Sequence, residues 1–144
     1  MQMSLANNKT QELWKSFMPR LKEIENIVGQ DLYSMQVYRQ LPDFNNFSPE
    51  TEFIKWAAKE VVDFSVIPEG LEQYELNGGL YAVFIHRGLP SEFQKTFYYI
   101  FGEWLPGSAY EIDNREHFEV LGEKYKNNDP ESEEEIWIPV KEKS

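Results

Sequence analysis

The run Phe97-Tyr98-Tyr99-Ile100-Phe101-Gly102-Glu103-Trp104-Leu105-Pro106 gathers the rings with which this chain could do chemistry: four aromatics in five residues, then a tryptophan just before a proline. Rings at that density can wall a pocket for a flat or greasy ligand, and each face can attract a cation by about 0.5 to 2 kcal/mol. They can equally form a dense core. Neighbouring residues of a helix are turned about 100° apart, so Tyr98 and Tyr99 cannot both face inward, while Phe97, Phe101 and Trp104 or Ile100 share a stripe. Packing accounts for Phe97 and Phe101, whereas Trp104 and Tyr98 are as well placed to touch a ligand as to pack. Glu103 beside the tryptophan reads as a helix-surface carboxylate. Pro106 forbids further helix and biases Leu105 away from helical geometry.

Other chemistries are narrower. The chain has no cysteine, which excludes disulfides, thiolate metal sites and thiol nucleophiles. His86 and His117 are its two histidines and stand in no His-Glu-x-x-His spacing, so neither a metal nor a cofactor is expected. Fourteen Lys plus Arg against 25 Asp plus Glu give a net charge of -11, which repels a phosphate backbone and argues against direct nucleic-acid contact. That field attracts cations, although much of it lies in Asp129 to Glu135, which reads as a solvated acidic loop.

With 144 residues and 41% hydrophobic content the chain suits one domain, taken as 10–144 after a polar lead at 1–9. Aromatics make up 15% against a mean hydropathy of -0.60, so the apolar content is concentrated in rings. Met1 to Lys9 lacks the apolar stretch of a signal peptide and no window reaches membrane-spanning length, so a cytoplasmic protein with no membrane partner is expected.

The elements that must position these residues follow from periodicity. Thr10 can cap a helix whose stripe is Leu13, Trp14, Phe17, Leu21, Ile24 and Ile27 or Val28, stopped near Gly29 and split around Met18 by Pro19. Leu32 to Tyr38 alternates as a half-buried strand. Leu41 to Thr51 reads as a loop. Glu52 to Phe64 fits both periods, with a slight balance toward helix. Gln73 to Leu76 and Leu80 to His86 read as strands around a bend at Asn77-Gly78-Gly79. Ser91 with Gln94 forms a capping box for the aromatic helix, which runs to about Trp104. Phe118 to Leu121 and Ile136 to Val140 are two further strands. Strand runs with one helix each predict an α+β fold: an antiparallel sheet with both helices on one face and the opposite face free to form a groove.

Taken in order and spacing, Gly79-Leu80-Tyr81-Ala82-Val83-Phe84, Gly88, Glu103-Trp104-Leu105-Pro106, Phe118-Glu119-Val120 and Ile136-Trp137-Ile138-Pro139-Val140 resemble the GyrI-like effector-binding domain. The Trp14 helix and the Phe53 to Val62 segment extend the likeness over nearly the whole chain. That family includes the ligand-sensing halves of AraC-type and MerR-type transcription regulators and stand-alone forms, some from integron cassettes. The resemblance implies a pseudo-twofold repeat of strand-helix-strand-strand modules. It also implies a groove for lipophilic, often cationic, small molecules with an acidic partner, and the position matching that acid is Glu119. By the same analogy Glu52 to Phe64 is a strand. Members usually begin with a strand, for which Met1 to Lys9 is a poor candidate, so the first strand is expected to be missing. With only that short lead before Thr10, no helix-turn-helix is expected in this chain, and a homodimer or a separate DNA-binding chain would be its macromolecular partner.

Strand parity sends Phe118 and Val120 to one face and Glu119 to the other. If the apolar pair packs under the helices, Glu119 points into the groove; otherwise it is a solvated carboxylate on an exposed face. A partly desolvated Glu119 would have a raised pKa that a bound cation lowers. Tyr33, Trp56, Tyr81 and Trp137 are secondary ligand-binding candidates, and Trp137, opposite in parity to Ile136, Ile138 and Val140, would face the same groove as Glu119. The function that results is capture or sensing of a lipophilic cation, with no catalytic residue assigned. A hydrolase using the groove glutamate, or an acidic protein that sequesters a macromolecule, are the alternatives.

Overall fold

Pro19 divides the first helical stripe. Helix α1 covers Thr10–Phe17, a 3-10 turn follows over Met18–Glu23, and the chain then enters a long strand. Thr10 is the first helical residue and not the cap; the Asn8 side-chain oxygen accepts both its N–H (3.0 Å) and its hydroxyl (2.6 Å). Ile27 and Val28, expected at the end of the helix, open strand β2 (Ile27–Tyr38). Gly29 at φ 64 stands where the β2 register breaks between Ile27 and Leu32, a left-handed conformation suited to a bulge.

The computed structural model describes residues 1–4, 6–38, 50–76, 78–89, 92–126 and 129–143. Ser91 of the capping box, Asn77 of the bend and most of the expected loop after Leu41 lie outside them. Strand β1 (Gln2–Met3) pairs with β3 (Phe53–Val61), so the first strand is present although short. It escapes sequence pattern because a single buried residue, Met3 at 3% exposure, anchors it opposite Phe53. Segment 53–61 is a strand, against the balance of its periodicity and in keeping with the resemblance. Gln73 to Leu76 is not part of the sheet.

Strand β4 (Tyr81–Arg87) precedes helix α2 (Phe93–Tyr99), which continues through a π turn over Ile100–Trp104 into a last turn, α3 (Leu105–Gly107). The helix thus passes Pro106, and Leu105 stays helical at φ -63 and ψ -48. The Leu105 N–H reaches back to the Ile100 carbonyl, and this widened turn shifts the carbonyls that the proline ring would otherwise meet. Strands β5 (Tyr110–Ile112), β6 (His117–Leu121) and β7 (Glu133–Glu142) complete the chain.

The sheet order is β1-β3-β2-β6-β7-β4, with β5 on the far end of β7, and every pairing is antiparallel. One half contributes β1-β3-β2 and the other β4-β7-β6, so the order mirrors about the central β2/β6 pair, as two strand-helix-strand-strand modules require. Ile100 and Phe101 of the aromatic helix bury against Ile112, Ile136, Ile138 and Val140. Helix α1 sits over the other half, where the Thr10 hydroxyl lies 3.6 Å from the Met3 sulfur. Met3 aligns with Phe53, Phe53 with Tyr38, Ser34 with Glu119 and Glu119 with Ile136. Both helices therefore lie on the same face of the sheet.

Candidate functional site

Between the two helices the central strands turn polar side chains toward the helix-bearing face. Residues two apart on a strand share a face and registered partners share it across strands. Ser34, Gln36 and Tyr38 of β2, Lys55 and Ala57 of β3, His117 and Glu119 of β6, and Glu134 and Ile136 of β7 thus form one strip. Ser34 and Gln36 are buried, at 6% and 8% exposure, although apolar residues usually hold such positions.

Glu119 is the charge at its centre. Its carboxylate accepts a hydrogen bond from the Gln36 side-chain amide at 3.0 Å. Burial raises its pKa, and the nearby Lys55 charge and the Gln36 bond work in the opposite direction. A carboxylate in this position gains from any cation that enters the strip, because pairing offsets the desolvation that now disfavours its charge.

Two residues of the strip were not singled out by sequence. Glu134 is pushed up to about 7 by burial and then by the Glu119 charge, with Lys55 opposing. Glu133 to Glu135 belong to β7 and not to a loop, which corrects the reading of Asp129 to Glu135 as a solvated run. Glu133 pairs with Lys124 at 3.5 Å and Arg87 at 3.9 Å. The signal was available, since Glu134 is in phase with Ile136, Ile138 and Val140. His117, 5% exposed, is pushed down to about 4 by burial and the Arg115 charge, and its Nε2 has no hydrogen-bond partner among the described residues. Its ring meets Tyr38 edge-on at 5.1 Å; burial and then the Glu119 charge raise the Tyr38 hydroxyl well above its ordinary value.

The four strand aromatics lie elsewhere. Phe118 and Val120 point away from the helices, and Tyr33, Trp56, Tyr81 and Trp137 share that outer face by register. Trp137 stacks on Phe118 at 5.2 Å, with Tyr81 and Tyr33 at 5.3 and 6.2 Å from the same ring. Trp56 packs edge-on against Tyr74 at 5.0 Å. Trp137 and Glu119 are therefore on opposite faces, contrary to expectation, and Glu119 is on the helix-bearing face, not on the one expected to form a groove. The apolar residues of β6 do not need the helices, because these rings cover one another. Trp104 is on the helix-bearing face but over edge strand β4, against Phe84 (5.1 Å) and Tyr110 (6.4 Å, stacked). That is two strands, about 10 Å, from β6. Tyr98 is 53% exposed on α2, where its hydroxyl accepts from Gln94 at 3.3 Å.

Among the described residues no helix is long and apolar enough to cross a membrane. The transcriptional regulator BrlR of Pseudomonas aeruginosa is 27% identical to this chain over 130 residues, which is 90% of the chain and 45% of the regulator. The chain thus spans less than half the length of that relative. Residues 1–141 match the GyrI-like small molecule binding domain, and over that span the chain belongs to this family.

Proposed function

We propose that the polar strip between α1 and α2 is a receptor for lipophilic organic cations, with Glu119 as the charge partner, and that the domain acts as the sensing part of a transcription-regulating system. The observation that carries this reading is the Glu119 carboxyl: desolvated, on the helix-bearing face, and joined by a neutral amide at 3.0 Å. The net charge of -11 favours the approach of cations. Glu134, held near 7 beside it, adds a second carboxylate that a cation would help to ionise. In this reading a ligand paired with Glu119 would lie over Tyr38 and would have to extend about 10 Å toward β4 to meet Trp104 or Tyr98 of the aromatic helix. Tyr33, Trp56, Tyr81 and Trp137, on the outer face, support the sheet. The regulatory role rests on kinship with a regulator of which the chain matches less than half.

The test is a thermal-shift series with matched cationic and neutral aromatic compounds, on the parent and on Glu119→Gln. A ligand at a hundred times its Kd stabilises the fold by about 2.7 kcal/mol. Cations are expected to raise Tm where their neutral isosteres do not, and Glu119→Gln to bind them about tenfold or more weakly. Absence of any cation-induced shift, or equal binding by Glu119→Gln, would sink the reading.

A further inference from the structure

The helix-bearing strip holds a base as well as acids. Lys55 of β3 aligns with Gln36 of β2, and Gln36 is two residues from Ser34, the partner of Glu119 on β6. From strand spacing and rise, the Lys55 and Glu119 Cα atoms are about 12 Å apart. In the row of Glu119 the positions on β2 and β3 are Ser34 and Ala57, whose side chains are short. The floor between the ammonium and the carboxylate is therefore low, with Gln36 along one side of it.

Lys55 is half-buried, and its ammonium enters no hydrogen bond or ion pair among the described residues. The unpaired side-chain atoms sealed from solvent there are Arg115 Nη1, Glu116 Oε1 and His117 Nε2. Lys55 Nζ and the Glu134 carboxylate, also without a hydrogen bond, are not among them, so both open onto accessible space. Burial raises the pKa of Glu119 and of Glu134, and the Lys55 charge opposes that rise at both. One ammonium thus acts on two carboxyls without being taken up by either, and its three donors stay available.

A simple cation that pairs with Glu119 enters beside this ammonium, and like charges at close range repel. A ligand that also turns an anion toward Lys55 replaces that repulsion with attraction. We propose that Lys55 sets the specificity of the strip, which favours amphoteric aromatic compounds bearing an ammonium for Glu119 and a carboxylate for Lys55. This rests on the reading of Glu119 as the partner of a ligand cation. The ligand's two charges stand about one ring apart, because Lys55 and Glu119 make no direct ion pair and only a low floor separates them.

The probes are para-(aminomethyl)benzoate and its methyl ester, which share ring and ammonium and differ in whether the carboxylate is free. Amide chemical shifts of the full chain, read at Ser34 and Ala57 near neutral pH, follow each titration. The parent is expected to bind the benzoate about fivefold more tightly than the ester, the worth of one partly exposed ion pair. Lys55→Met should erase that preference by weakening the benzoate and strengthening the ester, and Lys55→Arg should keep it. A merely structural lysine would move both compounds alike. Equal or tighter binding of the ester by the parent overturns the inference and leaves the cation-receptor reading standing, as does a preference that survives in Lys55→Met. The comparison of the two probes on the parent decides the matter even if Lys55→Met does not fold. Glu119→Gln should weaken both compounds. Binding of neither probe by the parent, or equal binding of both by Glu119→Gln and the parent, defeats the receptor reading itself and this inference with it, so the two failures are separate results.

Discussion

Strand β6 separates two environments one peptide apart. Toward the helices it presents His117 and Glu119, among Gln36, Ser34, Lys55 and Glu134. Away from them it presents Phe118 and Val120, among Tyr33, Tyr81 and Trp137. The outer face is held by rings in mutual edge and stacked contact. The inner strip is held by few hydrogen bonds around groups whose charged forms burial disfavours. The difference teaches that at β6 the packed ring cluster and the candidate chemistry lie on opposite sides of the sheet, while the apolar core under α2 shares the helix-bearing face with Glu119.

The largest effect should come from breaking the outer side. Phe118 is 7% exposed and contacts Tyr33, Tyr81 and Trp137. Phe118→Ala is expected to cost about 3 to 5 kcal/mol through lost burial and the cavity it leaves. The measurement is the urea midpoint, and a loss below about 1 kcal/mol would mean that the ring cluster is not the core of that face.

This division was only partly legible in the sequence. Alternation within a strand assigns residues to two sides, and it correctly opposed Glu119 to Phe118 and Trp137 to Ile136. It does not show which strand residues align, and register is what puts Glu119 with Ile136 and Phe118 with Trp137. Apolar β6 residues seemed to belong under the helices because an aromatic cluster on the far face leaves no mark in local pattern. Segment 53–61 was ambiguous for a related reason. Phe53 is buried and most of the residues after it are half-buried on both faces, so no clean polar alternation develops. Tyr110–Ile112, three residues long, is too short to show a period. Aromatic Trp104 and acidic Glu119 were each noticeable as residue types, but their separation by two strand spacings, with β7 between β4 and β6, depends on sheet order.

A smaller effect sharpens the inner side through pH. The folded Glu134 carboxyl sits at about 7 against an ordinary 4.5, so the folded state holds more protons between those values and stability falls as pH rises through that window. His117 acts in reverse. At about 4 folded against 6.5, it leaves the unfolded state with more protons between those values, and stability falls as pH drops through them. The two slopes oppose each other between roughly pH 4.5 and 6.5. Relative to the parent, Glu134→Gln should gain stability progressively from pH 5 to 8, reaching on the order of 1 to 3 kcal/mol, and His117→Gln should lose less stability on acidification. Urea midpoints measured at unit steps of pH check both, and a pH-independent difference from the parent in either variant would remove that residue from the account.

The smallest effect tests where the outer face stops being a core. Val83 and Ile85 point to the same side as Phe118, yet they stand on edge strand β4 and are 46% and 58% exposed. Burial, not the face as such, sets the cost of losing apolar area. Ile85→Thr keeps the branched shape that suits a strand and removes little buried surface, so its urea midpoint should stay within about 0.5 kcal/mol of the parent. A loss comparable to that of Phe118→Ala would mean that the edge of this face is covered in solution by something beyond the chain. The outer side would then be an interface as well as a scaffold.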